Sequence, residues 1–354
     1  MKNILFAIIA LPFLYTLAAY PVSAQRCTPA GFPSLTFNES NVFPIDKSLK
    51  RPEDGKALPG GRIVVGDEDH GLRIIEKDGK HRPFGKFKEA GYENAPPEKS
   101  AASNGIFLET DGKHLLVADI YTGYIYRVNV KTEATEVIYR HRYGVNSILR
   151  DAQGAIWFTQ SADNTIETGP MSMYAAIDKP APSGAVFRLE KGADIAARVA
   201  YDIYFANGIA MTKDGKRLFV SETMMDRVLT FEIDGYGKLV NRSTYANVMT
   251  PDNLMTDASD NLYIASAISN SVLAVDAKCG SVHRVFSAPS SSNTIAQHYW
   301  AVNSRTGQPI LPLLGPDTFA PLPGILTGMF FSKDGKTFYV TGLGNAVLRF
   351  EMQH

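Results

Sequence analysis

The chain has only two cysteines in 354 residues, Cys27 and Cys279, and it has no CxxC, no HExxH and no histidine cluster. That composition gives a structural or catalytic zinc site little to bind with. Net charge is also missing: 36 basic residues balance 36 acidic ones. No lysine- or arginine-rich run interrupts that balance, so neither a nucleic-acid footprint nor a polybasic membrane patch is expected. After the first 24 residues no segment is apolar enough to cross a bilayer. The 45% apolar and 20% charged residues fit a globular protein with ample core.

The N-terminus reads as an address. Lys2 precedes the apolar run ILFAIIALPFLYTLAAY, which ends at Pro21 and is followed by VSAQ. This charged, apolar and small-residue order predicts a secretory signal over residues 1–24, cut after Ala24; an uncleaved anchor is the alternative. The mature chain, residues 25–354, is then expected as a single secreted or periplasmic domain. In an oxidising compartment Cys27 and Cys279 could close a long loop as a disulfide, or remain two separate thiols.

Repetition is the strongest positive signal. Six hairpins align on their turns: EDGKALPGGRIVVGD, NGIFLETDGKHLLVAD, NSILRDAQGAIWFTQ, NGIAMTKDGKRLFVSE, DNLMTDASDNLYIAS and TGMFFSKDGKTFYVTG. Each has short apolar or alternating runs bounded by turn residues, the pattern of strands. A third strand follows most of them (YIYRVNV, RVLTFEI, AVLRFEM), and a fourth follows several. Six four-stranded units predict an all-β fold, a six-bladed β-propeller. The last unit has three clear strands before the chain ends, so FPSLTFN, residues 32–38, is expected to supply the fourth and close the ring.

Seven positions before each turn pair stand Glu53, Asn104, Asn146, Asn207, Asp252 and Thr327. Equivalent positions on six innermost strands must converge around the central channel. Asn and Asp are poor strand formers, and two converging carboxylates repel one another unless a cation joins them. Hard oxygen donors of this charge suit Ca²⁺, with other divalent cations possible.

At these residues the sequence resembles the calcium-dependent six-bladed propeller hydrolases: the regucalcin/gluconolactonase group, the squid-type diisopropylfluorophosphatase and the paraoxonases. FANGIAMTKDGKRLFVSE followed by PDNLMTDASDNLYIA is most similar to paraoxonase blades. The resemblance implies Glu53, Asn146, Asn207 and Asp252 as metal ligands, with Asn104 and Asn253 in or near the same shell facing substrate. Paraoxonases carry a histidine at the position of Asn104, so that base is missing here. Asn146-Ser147 replaces their Asn-Asp, which removes one carboxylate from a second, structural calcium site although Asp54 is kept. Regucalcin-type sugar-lactone hydrolases carry an arginine where this chain has Gly144. Strictosidine synthase-like propellers share the fold and lack the metal set.

The two longest irregular segments, residues 160–184 and 287–324, connect strands on the metal face of such a ring. They hold Met171, Met173, Tyr174, His298, Tyr299, Trp300 and Phe319. Of these, Met173, Tyr174, His298 and Trp300 are the expected substrate-binding residues. The reading is a secreted, monomeric, Ca²⁺-dependent hydrolase of hydrophobic lactones or esters, with Asp252 as catalytic base or nucleophile and His298 or His70 as proton shuttles. The alternatives are a non-catalytic ligand- or protein-binding propeller with a structural metal, and a metal-dependent lyase or isomerase.

Overall fold

Each D-G-K turn is built the same way. The glycines of three of them, Gly112, Gly215 and Gly335, take φ of 65°, 69° and 71°, the left-handed region where a Cβ is costly. The preceding aspartates, Asp111, Asp214 and Asp334, accept the backbone N–H of the lysine two residues on at 2.7, 3.0 and 3.1 Å. These turns reverse the chain tightly and set the register of the flanking strands.

The structure is a computed structural model that describes residues 27–28, 31–288 and 291–352. The predicted signal at residues 1–24 lies outside the described residues. Six antiparallel sheets follow one another along the chain, spanning residues 55–84, 103–140, 148–203, 206–247, 251–287 and 326–351. Within the first five, four consecutive strands pair in sequence order; the sixth has three, Leu326–Phe331, Thr337–Gly342 and Val347–Glu351, and takes its fourth from near the N-terminus. The first strand of every sheet contacts the first strands of its neighbours, and the sixth contacts the first. The expected six-bladed propeller with four-stranded blades is therefore the observed fold.

Apolar side chains fill the spaces between adjacent blades. Blades one and two enclose Leu72, Phe84, Leu115 and Tyr126. Blades five and six enclose Val272, Phe286, Phe338 and Val340. The four remaining spaces have equivalent clusters, apart from one group of apolar residues above the channel, described below.

Ring closure departs from expectation in one respect. The strand that completes blade six is β2 (Val42–Phe43), paired antiparallel with Val347–Glu351, rather than residues 32–38. The segment 32–38 contains β1 (Leu35–Thr36), which pairs parallel with Val282–Ser287 as a fifth strand outside blade five. The reason is where the chain is tethered. Cys27 is disulfide-bonded to Cys279, with Cα atoms 5.7 Å apart, and Phe32 packs on Tyr263 and His283 at ring-centroid distances of 6.0 and 4.8 Å. These contacts hold the segment on blade five before it reaches blade six. Val42 and Phe43 then bury their side chains in two different interblade cores, as alternation along a strand requires.

The two long connections are helical where loops were expected. They contain α1 (Gly169–Asp178), α2 (Ser291–Thr306), a 3-10 turn at Leu311–Leu313 and the short α3 (Pro316–Phe319). Among the described residues no helix is long and apolar enough to cross a membrane.

Candidate functional site

The innermost strands come close together because a residue without a side chain stands next to the polar head. A Cβ on Gly105 would lie 2.7 Å from the Cα of Ser147, and one on Gly208 would lie 2.7 Å from the Cα of Asn253. The Asn-Gly pair is thus one device. Glycine lets the next blade's backbone approach, and the asparagine beside it points its amide at the axis. Glu53, Asn104, Asn146, Asn207, Asp252 and Thr327 all line one cavity of about 130 Å³ at that axis. The shared register brings the six heads to one place.

All six are buried, yet their hydrogen bonding is incomplete. Glu53 Oε2, Asn207 Oδ1 and Asp252 Oδ1 have no hydrogen-bond partner. Asn146 donates to Ser161 Oγ at 2.9 Å, and its Oδ1 accepts from Asn104 Nδ2 at 3.2 Å. Buried polar atoms are nearly always satisfied, so these three unpaired oxygens, on Glu53 just ahead of its strand and on Asn207 and Asp252 within theirs, form a donor set that a cation would satisfy. Burial raises Asp252 to about 7, while the Arg51 charge and the Asn207 side chain oppose that rise. Glu53 is pushed well above the ordinary carboxylate range, first by burial and then by the charge of Asp252. Two such carboxylates strain one another in a dry site. The donors present, two carboxylates and two carboxamides, fit a hard divalent ion such as Ca²⁺.

Asn253 lies behind the site, not in its wall. It does not line the cavity; its Nδ2 donates to Glu53 Oε1 at 2.9 Å while its own Oδ1 stays unpartnered. Asp54, the adjacent carboxylate, is fully committed. Its oxygens take Lys56 Nζ at 3.0 and 3.1 Å, Gly55 N at 2.7 Å and Ile106 N at 2.8 Å. A lysine ammonium thus sits on the group that the resemblance associates with a second metal.

Above the oxygens the cavity turns apolar. Met173, Tyr174 and Ile177 descend from α1, and Trp300 descends from α2. Trp300 Nε1 donates to both oxygens of Asp226 at 3.2 and 3.1 Å, which fixes α2 to blade four. Asp178 Oδ1 accepts from Ile310 N and Leu311 N at 2.7 and 2.8 Å, joining α1 to the 3-10 turn. The two connections therefore form one roof.

Not every expected wall residue is there. His298 is exposed on the outer side of α2, stacked edge-on against Tyr299, and does not line the cavity. On a helix, residues two apart face different ways, so burying Trp300 turns His298 outward. Met171 and Tyr299 are likewise exposed. His70 hydrogen-bonds Asp67 at 2.9 Å outside the cavity. Neither histidine can shuttle protons at this site.

Sequence reasoning missed Arg51. It lines the cavity, and its Nη2 donates to Asn104 Oδ1 at 2.7 Å while Nη1 donates to the Ser103 carbonyl at 3.0 Å. Arg51, Phe205 and Thr250, all lining residues, hold φ of 55°, 61° and 39°. Left-handed backbone at bulky or β-branched residues is strained, and such strain gathers at functional sites. A side chain at Gly144 would run into the Ile120 carbonyl carbon at 2.7 Å, so no arginine fits that position here.

Comparison with known proteins agrees with this fold. Residues 139–297 match the SMP-30/Gluconolactonase/LRE-like region. Lactonase drp35 of Staphylococcus haemolyticus is 24% identical over 250 residues, covering 66% of this chain and 70% of the relative. Adipocyte plasma membrane-associated protein Hemomucin of Drosophila melanogaster is 25% identical over 208 residues, 53% of this chain; the match spans only 34% of that protein's length. A crystal structure of the calcium-binding protein regucalcin from Agrobacterium tumefaciens superposes with a TM-score of 0.58 at 12% identity, covering 90% of this chain and 95% of that one. The likeness to the solved structure is one of fold.

Proposed function

From the premise that this chain is a regucalcin/gluconolactonase-like propeller, we propose that it is a secreted, calcium-dependent hydrolase of lactones or esters with a largely apolar body. One observation carries the reading: unpaired oxygens of Glu53, Asn207 and Asp252 stand at the floor of a cavity whose upper wall is Met173, Tyr174, Ile177 and Trp300. The calcium named for the regucalcin neighbour suits this donor set, and the Cys27–Cys279 bridge suits an oxidising compartment.

Glu53, Asn146, Asn207 and Asp252 would hold the ion. When bound, calcium supplies Lewis-acid polarisation of the substrate carbonyl, worth several kcal/mol of charge stabilisation. The rest of the chemistry belongs to the chain. The apolar roof displaces water from the acyl group and strengthens every polar contact below it. Asp252 has a free Oδ1 on the cavity floor. There it can take a proton from a water whose oxygen adds to the carbonyl carbon, the acyl C–O bond then breaking and the leaving alkoxide taking the proton back, or it can attack the carbon itself, displacing the alkoxide to give a mixed anhydride that water hydrolyses. With His298 and His70 directed elsewhere, it is the best-placed base. Asn104, held by Arg51, faces the same space and can orient the substrate's second oxygen.

The test is turnover of a panel of aromatic esters, medium-chain lactones and a sugar lactone, with chelator and after calcium is restored. Chelator-sensitive hydrolysis of the apolar substrates is expected. Preference for the sugar lactone would refute the substrate class, and binding without turnover would refute the hydrolase.

A further inference from the structure

Arg51 has no counterpart in the hairpin pattern that built the rest of the site. It stands two residues before Glu53, in left-handed backbone with φ of 55°, and is followed by Pro52. A long side chain gains nothing from that conformation locally. Its backbone is nonetheless held there, with its N–H donating to the Gly344 carbonyl at 2.9 Å. The result is a guanidinium delivered to the cavity floor.

That cation lacks an anionic partner. Among the described residues no carboxylate oxygen lies within ion-pair distance of Arg51, whose side chain bonds only a carbonyl and a carboxamide oxygen. A guanidinium offers five donors, so part of the fork is left for a ligand. Buried charges are ordinarily paired. Charge matching within the site gives the same answer. Glu53 and Asp252 together balance a divalent ion, and Asp54 is already paired with Lys56. With the ion in place, Arg51 feels the charge of Glu68 at longer range, but no carboxylate among the described residues is in contact with it.

The geometry points to Arg51 as a specificity-determining residue that binds a carboxylate carried by the substrate, so that the preferred ligand is a small lactone or ester bearing one anionic carboxylate apart from the reacting carbonyl. The inference rests on the hydrolase reading for the reacting group and adds the anionic substituent. Asn104 joins the two halves of such a ligand. It accepts from Arg51 and donates to Asn146, so a carboxylate on the guanidinium places the rest of the molecule beside the oxygen cluster. The apolar roof covers the ring between them.

Non-hydrolysable ketones separate this assignment from catalysis. Calorimetry on the calcium-loaded protein would compare 3-oxocyclopentane-1-carboxylate with 3-methylcyclopentanone, five-membered rings differing in the charged substituent. The carboxylate should bind roughly 10- to 100-fold more tightly, the range for charge-assisted hydrogen bonds. Arg51→Gln should erase that preference, read as the ratio of the two affinities, because a shift of Asn104 would weaken both ketones alike. Arg51→Lys, which keeps the charge and loses the fork, should retain part of it. A purely structural Arg51 would lower the melting temperature of both variants and leave the preference intact. Equal affinity of the two ketones for the wild type, or a preference that survives Arg51→Gln, overturns the assignment. If the preference holds and no lactone is hydrolysed, the hydrolase reading fails and the anion site stands. If neutral lactones are hydrolysed and no preference exists, the reverse is true.

Discussion

The Asn253 amide donates to Glu53 Oε1 at 2.9 Å, a bond between residues 200 positions apart. It uses one carboxylate oxygen and leaves Oε2 free, so it fixes which oxygen faces the axis. A partner that orients a metal-binding side chain commonly contributes 10- to 100-fold to affinity. Asn253→Ala should therefore weaken calcium binding by about that factor while the fold is kept. Titration against a chromophoric chelator measures it. Unchanged affinity would mean that Glu53 holds its orientation without Asn253.

The same carboxylates make calcium binding depend on pH. Asp252 is raised to about 7 and Glu53 is raised as well, both chiefly by burial. The metal-free folded protein therefore holds protons that the unfolded chain would release, since an ordinary carboxylate titrates near 4. Their contribution favours folding at low pH and is lost as pH rises through about 7. Calcium must expel those protons, so its affinity should climb over the same interval and level off above it. Melting curves of chelated protein between pH 5.5 and 8, compared with Asp252→Asn, isolate the effect from other titrating groups, such as His141, whose pKa burial lowers. Identical pH profiles for the two proteins would show that Asp252 contributes none of it.

How legible the site was depended on periodicity. Asn104, Asn207 and Thr327 stand at a fixed distance before a D-G turn, and strand register carries that spacing to the axis unchanged. Arg51 stands in no strand, and only ring closure sets it against Asn104. His298 and Trp300 could not be told apart in the sequence, because a segment read as a loop has no inward face; α2 supplies one and buries only Trp300. The closing strand was misplaced for a related reason. Two paired residues, Val42 and Phe43, are too short to show alternation, whereas FPSLTFN reads more like a strand and is drawn to blade five by the tether at Cys27.

That tether has a measurable consequence. Cys27 and Cys279 are separated by 252 residues, and their bridge constrains a long stretch of the unfolded chain. Disulfides typically contribute about 2–4 kcal/mol, and the lower end is expected here because β1 and β2 still pair when the bridge is gone. Chemical denaturation of a Cys27→Ser, Cys279→Ser double variant against the wild type reads the difference. An unchanged midpoint would assign ring closure to β2 alone.

The most informative substitution is Asp252→Asn. It keeps an oxygen donor and nearly the same volume, and removes one negative charge together with any role as base or nucleophile. Two measurements then separate ligand from catalyst. Calcium titration should show weaker binding, because one of the two carboxylates in the proposed site is lost. Hydrolysis is then followed at calcium concentrations that saturate the variant. If Asp252 only binds metal, kcat should recover once the site is filled. Asp252, like Glu53, is a buried carboxylate with an unpaired oxygen at the cavity, and no described histidine lines it; with Asp252 assigned as the base, recovery is not expected. A persistent loss of about 10²-fold or more in kcat is the predicted outcome, the scale of removing a general base. Full activity with calcium bound would take Asp252 out of the chemistry and leave it as a ligand.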